Sequence, residues 1–145
     1  MNLQAIREAV AARLDTVSGA RAFPHPLEQP PTGNAVAVVV YPGSPYVEFQ
    51  EAFAKGLAQV NLVVSPYVQL VNPRSSWDLF DRLCSSGPAE IGSMIDALMG
   101  SDRTLGGVVA DLVVDDVVNV QAVTTEPNVR YLTGEINVRL YVRRN

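Results

Sequence analysis

The hydrophobic pattern is clearest in the last third of the chain, where two long segments are rich in valine. They are Asp111–Thr124 and Val129–Val142, and the second alternates apolar with polar positions along most of its length. β-Branched side chains favour extended backbone, and a period of two is typical of a strand with one buried face. We therefore expect two paired strands joined by a turn at Thr125–Asn128.

A helix is predicted just before these strands, at Ala89–Met99. Its apolar residues recur at the i, i+3, i+4 and i+7 spacing that gives a helix one buried face. Pro88 suits the first helical turn because its missing N–H has no partner to lose, and Gly100 suits a left-handed stop. This helix should lie on the two-stranded ribbon. Its apolar stripe is Ile91, Met94, Ile95, Leu98 and Met99.

The same spacing indicates two further helices. The first covers about Leu3–Thr16. The second is capped by Ser75 or Ser76 and extends to about Cys84, because serine side chains accept hydrogen bonds from the free N–H groups of a first turn. The residues of the second helix expected to face the core are Trp77, Phe80, Leu83 and Cys84.

The region between these two helices predicts strands and turns. Arg21–Gly33 is rich in proline, which indicates a loop or an extended edge. Ala35–Tyr41 is a continuous apolar run and predicts a strand buried on both faces. Pro42–Pro45 predicts a turn that closes it. Tyr46–Lys55 fits both an alternating strand and a short helix, and Leu57–Val71 predicts a long strand.

Together these elements predict an α+β fold with a mostly antiparallel sheet of about five strands. We expect the helices to pack chiefly on one face of the sheet, in one domain spanning residues 1–145. Hydrophobic residues make up 48% of the chain, which excludes a disordered protein. The expected core is Leu3, Ile6, Val10, Leu14, Val36, Val38, Val40, Trp77, Phe80, Leu83, Ile91, Ile95, Leu98, Leu112, Val114, Val118, Ile136, Val138 and Leu140.

Composition and charge narrow the possible partners. The net charge is −4, with ten arginines and one lysine, so the chain lacks the clustered cations that grip a phosphate backbone. The longest apolar run has seven residues, far short of the ~20 that span a bilayer. The N-terminal pattern lacks a secretion signal, and the single Cys84 fits a reducing cytoplasm. We expect neither sequence-specific nucleic-acid binding nor a membrane anchor.

Candidate catalytic residues are few, and each has a simpler interpretation. His25 is the only histidine and lies between two prolines, which is typical of a surface loop. Cys84 is better explained as a small buried hydrophobe than as a nucleophile. Asp115 and Asp116 are adjacent, so on a regular strand they point to opposite faces and share a site only if a bulge intervenes. Gly106-Gly107 lacks the lysine of a phosphate loop. We expect no enzymatic activity, no metal and no cofactor.

The charges on the last two strands have two interpretations. The acids Asp111, Asp115 and Asp116 lie on one strand, and Arg130, Glu135, Arg139 and Arg143 lie on the other. They could be solvated faces laced by weak cross-strand ion pairs. They are also candidates for a subunit interface, in which an acidic side of one copy meets a basic side of the next.

Three short segments carry a resemblance to a known family. They are Ser86–Pro88 before the central helix, Asp102–Gly107 after it, and Tyr131–Glu135 in the last strand. In order and spacing they resemble the tail terminator (tail completion) proteins of long-tailed bacteriophages. The resemblance carries an architecture and an assembly role, with no catalytic motif, and it favours a hairpin for Tyr46–Val71.

The role implied by this resemblance is a structural one in the virion, after assembly in the host cytoplasm. Copies of the chain would form a ring, expected to be a hexamer, on the head-proximal end of the major tail tube protein. The ring would stop tube growth and present a surface to the head-completion or connector protein. In this arrangement Glu48, Glu51 and Lys55 are candidates for contact with the tube or for the wall of the lumen.

Two alternatives remain open at this point. One is a head-completion or neck protein of the same virion, which would also be a small ring-forming domain. The other is a small cellular α+β enzyme or ligand-binding domain, which would need a concave pocket with convergent polar groups.

Overall fold

The computed structural model describes residues 1–27, 36–49, 56–87, 92–100, 102–125 and 128–143. These residues form three helices and one five-stranded sheet. The elements are α1 (Leu3–Leu14), β1 (Ala20–Phe23), β2 (Val36–Glu48), β3 (Leu57–Gln69), α2 (Pro73–Cys84), α3 (Met94–Met99), β4 (Asp111–Thr125) and β5 (Val129–Arg143).

The strands are ordered β1-β2-β3-β5-β4 across the sheet. Every neighbouring pair is antiparallel except β1 and β2, which are parallel. The predicted hairpin is present, because β2 pairs with β3 from Val36 opposite Val68 to Glu48 opposite Gln59. The predicted fold class is confirmed, and β1 occupies one edge of the sheet.

One face of the sheet forms the core with the helices. Even-numbered residues of β3 and β5, such as Leu62 and Val138, are buried in one cluster with Leu14, Phe80 and Leu98 of the three helices. Burying a side chain of this size stabilises the fold by roughly 1.5–3 kcal/mol. The helices therefore cover this face, and β3 and β5 present their odd-numbered residues on the other side. We call that other side the distal face.

The distal face is polar near the ends of β2 and β5. Asn61 of β3 lies opposite Arg139 of β5, and Gln59 lies opposite Tyr141. All four side chains are only partly buried. This alternation of polar and apolar positions follows from the period of two along each strand.

The prediction of a turn at Pro42–Pro45 is wrong, because β2 continues through these residues to Glu48. The pairing with β3 shifts register between Pro42 and Val47, so the segment forms a bulge within the strand. β1 pairs with β2 only as far as Val39. Beyond that point no described strand pairs with this edge of β2, where a proline gives up no ladder hydrogen bond.

The central helix ends at Met99 as predicted, but its predicted start and the predicted left-handed stop are wrong. The helix α3 begins at Met94, with Ser93 as its N-cap. Gly92 has φ +87°, a left-handed conformation that a helix cannot continue through. Gly100 ends the helix at φ −66° rather than in the left-handed region. Pro88 to Ile91 lie outside the described residues.

The second helix starts earlier than predicted. Its N-cap is Asn72, whose side chain accepts a hydrogen bond from the Ser75 N–H, and Pro73 opens the first turn. Asparagine is as good a cap as serine, and proline is favoured directly after the cap. The first helix ends at Leu14, two residues before the predicted end.

Most of the predicted core is confirmed, with two errors. Trp77 is 42% exposed and rests edge-on against Phe80, with ring centroids 6.2 Å apart. Val118 is 36% exposed, because its register opposite Glu135 directs it to the distal face. Leu3 and Val114 are partly buried against the core. Ile91 lies outside the described residues.

Candidate functional site

A bulge in β4 brings two adjacent carboxylates to the same face of the sheet. Val114 lies opposite Val138, but Asp116 already lies opposite Asn137, so β4 carries one extra residue at Asp115. Such an insertion breaks the alternation of side chains along a strand. Both acids now point to the distal face. The sequence allowed Asp115 and Asp116 to share a site only if a bulge intervened, and this bulge meets that condition.

Each of the two acids has its own partner on β5. Arg139 Nε donates to Asp115 Oδ2 at 2.8 Å and to Oδ1 at 2.9 Å. Asn137 Nδ2 donates to Asp116 Oδ1 at 2.5 Å. The two carboxylates are therefore held side by side, one by a cation and the other by a neutral amide.

The bulge in β2 forms the opposite wall of the same site. Gly43 approaches β3 so closely that a Cβ there would lie 2.8 Å from the Asn61 carbonyl oxygen. Asn61 Nδ2 donates to the Pro45 carbonyl at 2.8 Å and to Glu48 Oε2 at 3.1 Å. The close approach thus allows one amide to bind both the bulge and the carboxylate at the end of β2.

Between the two bulges lies a groove of about 600 Å³ on the distal face. We call it the acidic groove, because it is lined by three carboxylates and one guanidinium. The residues that line it are Gly43, Ser44, Pro45, Glu48, Asn61, Leu62, Val63, Asp115, Asp116, Asn137, Val138 and Arg139.

Arg139 is fixed in the groove. Its hydrogen bond to Asp115 raises its pKa above the ordinary value for arginine. Its Nη1 also donates to the Tyr141 hydroxyl at 2.9 Å. This pair confirms the interpretation of a cross-strand ion pair, and the contribution of such a partly exposed pair to stability is about 0–1 kcal/mol.

Asp116 differs from Asp115 in its surroundings. It is exposed, and among the described residues no cation lies within ion-pair distance of it. Its bond from Asn137 orients the carboxylate without neutralising it. The groove therefore keeps an oriented negative charge that faces solvent.

The remaining predicted interface residues do not join this cluster. Asp111 pairs with Arg103 at 3.2 Å rather than with β5. Glu135 accepts a hydrogen bond from Asn119 at 2.5 Å. Arg130 lies opposite Thr124, near the far end of the ribbon. Arg143 lines a separate cavity beside Met1 and Ala110.

Of the residues predicted to meet the tube or line the lumen, Glu48 is part of the acidic groove. Glu51 and Lys55 lie outside the described residues. Asn61 and Asn137, which orient two of the three carboxylates, were not predicted from the sequence. A search for polar residues at every second strand position would have marked both, because each lies two residues from another polar residue of the distal face.

The candidate nucleophile Cys84 and the candidate base His25 both lie outside the acidic groove. Burial, with a smaller effect of Asp81, raises the pKa of the Cys84 thiol to about 11, so it is protonated at neutral pH. His25 is exposed, and its Nδ1 lies 3.2 Å from the Pro26 carbonyl oxygen. Among the described residues, no three potential ligand side chains are grouped to hold a metal ion.

The glycines Gly106 and Gly107 belong to a loop organised by Asp102. The Asp102 carboxylate accepts hydrogen bonds from the Thr104 hydroxyl at 2.6 Å and from the Thr104 and Gly106 N–H groups, both at 2.9 Å. It also forms an ion pair with Arg13 of α1 at 3.2 Å. These bonds, with those from Thr104 the strongest, hold the pKa of Asp102 well below its usual range. The loop thus ties α1 to the segment before β4.

Two comparisons with known proteins found no relative of this chain. No protein-family model matches the chain, and no curated protein matches it. In the part of the chain that the structure describes, no helix has the length and apolar character needed to cross a membrane.

Proposed function

We propose that this protein is a structural component of a long-tailed bacteriophage, which forms a ring on the head-proximal end of the tail tube. The proposal starts from the resemblance of Ser86–Pro88, Asp102–Gly107 and Tyr131–Glu135 to tail terminator proteins. The observation that carries it further is the acidic groove. An exposed charged surface on a rigid sheet suits contact with another protein subunit, and no reaction is assigned to it.

Such a ring would end tube growth by geometry. Each new layer of tube subunits covers the end of the tube and exposes an identical surface, to which the next layer binds. A ring that matches the tube on one side, without repeating that surface on the other, leaves the following tube subunit no place to bind. Its outer side is then free to receive the head connector. The ring, expected to be a hexamer, would belong to the mature virion after assembly in the host cytoplasm.

Negative charge near the lumen would also suit the passage of DNA. Phosphate backbones bind surfaces with clustered cations, whereas Glu48 near the end of β2 presents a carboxylate. With a net charge of −4, the chain as a whole would not retain DNA by charge attraction. We place the Glu48 end of the β2–β3 hairpin toward the lumen or the tube.

Electron microscopy of particles that lack this protein tests the proposed function. Without a terminator, tails continue to grow, so we expect overlong tails that are not joined to heads. Tails of normal length that fail to join heads would contradict the proposal and would indicate a neck protein instead. Adding back the purified protein to growing tubes should restore a uniform tail length.

The lumen placement has a separate test. Glu48→Lys should slow DNA ejection from assembled particles, because it places a cation beside the passing phosphates. Glu8→Lys on α1 changes the charge by the same amount on a surface outside the groove and serves as the control. Normal ejection from particles that carry Glu48→Lys would refute the lumen placement and leave tube termination intact.

A further inference from the structure

The two edges of the sheet differ in how their backbones are exposed. On the β1 edge, the Ala22 N–H donates to Asp15 Oδ1 at 2.6 Å. β1 is also only four residues long, and short edge strands resist pairing with other chains. A neighbouring molecule that approaches this edge therefore finds side chains rather than a free hydrogen-bonding ladder.

Arg21 is the charged residue that β1 presents at this edge. Its register opposite Ala37 places it on the distal face, while the next residue, Ala22, packs into the core. The side chain is exposed, and its guanidinium carbon lies 5.1 Å from the centre of the Phe23 ring. No carboxylate lies within ion-pair distance of it among the described residues. Stacking on the ring restricts the guanidinium without neutralising it.

Asp116 is its counterpart at the other edge of the sheet. It lies on β4, also on the distal face, and it is held by the neutral amide of Asn137. One edge thus carries an oriented cation and the other an oriented anion, on the same side of the sheet. Two complementary surfaces at separate places on one molecule are what a head-to-tail contact requires.

We propose that Arg21 of one copy docks into the acidic groove of the next copy, with Asp116 as its main acceptor. This inference rests on the proposed ring, and it assigns the contact between neighbouring copies. Copies related by rotation about a ring axis keep their distal faces on the same side, so the two side chains can meet at each boundary. Because Asp15 already occupies the Ala22 N–H, the contact is made by side chains.

The other described arginines suit this role less well. Arg7 of α1 donates to the Pro24 carbonyl at 3.1 Å. Arg13, Arg103 and Arg139 already have carboxylate partners within the chain. Arg130 and Arg143 lie on β5, next to the strand that carries Asp116. Arg74 and Arg82 lie on α2, which packs on the opposite face of the sheet. The basic side of the boundary is therefore β1, whereas the sequence pattern had indicated β5.

A charge exchange tests the contact. We expect Arg21→Glu or Asp116→Arg alone to raise the protein concentration needed to cap tail tubes by about tenfold or more, because each change creates like-charge repulsion. A chain that carries both changes should cap tubes at nearly the wild-type concentration. Arg74→Glu, which reverses an exposed arginine on α2, should have little effect. Capped tubes are counted by electron microscopy, and the melting temperature of each variant is measured to verify folding.

Cysteine cross-linking gives a second readout on the same tubes. A disulfide would be too short to span the Arg21–Asp116 contact, so a thiol-specific cross-linker about as long as an arginine side chain is used. In a Cys84→Ala background, a mixture of Arg21→Cys chains with Asp116→Cys chains should form a dimer joined by this linker. Neither variant alone should do so, since a head-to-tail contact joins different residues.

The outcomes separate this inference from the proposed function. If wild-type protein caps tubes but the double exchange fails to restore capping in a folded chain, the Arg21–Asp116 contact is refuted and the terminator role stands. Self-linking of Arg21→Cys chains would refute head-to-tail geometry. If wild-type protein never binds tube ends, the proposed function itself fails.

Discussion

The close approach of Gly43 to β3 predicts that Gly43→Ala destabilises the fold and distorts the acidic groove. An added Cβ would lie 2.8 Å from the Asn61 carbonyl oxygen, 2.9 Å from its carbonyl carbon and 2.9 Å from its Cβ. Two of these three atoms belong to the backbone of a central strand, so they cannot turn away as a flexible side chain could. The two strands must separate locally to accept the methyl group.

The expected loss follows from the general effect of overpacking. Inserting one methyl group into a tight contact typically destabilises a protein by about 1–3 kcal/mol. For a domain of this size, each kcal/mol lowers the melting temperature by roughly 3–4 °C. We therefore expect Gly43→Ala to melt about 3–12 °C below the wild type. The loss should be accompanied by weaker hydrogen bonds from Asn61 to Pro45 and Glu48.

Calorimetry measures the melting temperature, and amide NMR signals of Asn61 report the change in the groove. Ser44→Ala is the matched control, because it changes an exposed neighbour in the same bulge and should melt within about 2 °C of the wild type. If Gly43→Ala melts as high as this control and leaves the Asn61 signals unchanged, the tight contact between β2 and β3 is wrong.

Three further predictions concern the core, the loop before β4 and the cysteine. Leu98→Ala should lower the free energy of unfolding, measured by urea titration, by about 2–5 kcal/mol, because Leu98 is fully buried. Val71→Ala is the control: Val71 is 79% exposed, so this change should alter the free energy of unfolding by about 0.5 kcal/mol or less. Folding holds the pKa of Asp102 below its unfolded value, so its stabilisation is complete above about pH 4 and is lost as the pH falls further. Urea titrations should show that the free energy of unfolding decreases less between pH 7 and pH 3 for Asp102→Asn than for the wild type. An equal decrease in the two proteins would contradict the role of Asp102. Because the pKa of the Cys84 thiol is about 11, iodoacetamide should label the folded protein at pH 8 more slowly than it labels glutathione, and mass spectrometry that finds equal rates would refute the buried, protonated thiol.

The parts of the fold that the sequence predicted are those governed by local periodicity. The β5 segment alternates cleanly, and its strand ends one residue beyond the predicted end. The β4 segment was also correctly placed, because its valines favour extended backbone wherever they pack. Exposure of Trp77 could not be foreseen, since helical spacing shows which side of a helix is apolar but not where the sheet beneath it ends.

The acidic groove depends on features that periodicity does not encode. Adjacent acids on a regular strand diverge, and only the bulge at Asp115 brings them together. Likewise, Pro42–Pro45 has the composition of a turn, and it stays within a strand because β1 stops pairing at Val39. Both features depend on where neighbouring strands end or slip, which is decided by contacts between distant parts of the chain. The polar residues were visible in the sequence, but their convergence was not.

The hydrogen bond between Asp15 and the Ala22 N–H has a consequence for association between molecules. Backbone pairing from chain to chain can propagate indefinitely only if each molecule offers two open borders, one to receive a strand and one to extend the array. Among the described strands, β4 is the long regular border that remains, because the β2 edge beyond Val39 is interrupted by Pro42, Pro45 and a bulge. Two molecules joined through β4 would use up their pairing capacity. Fibre growth by edge-to-edge pairing of sheets is thereby disfavoured, and a ring of the kind proposed would be held together by charges and shape.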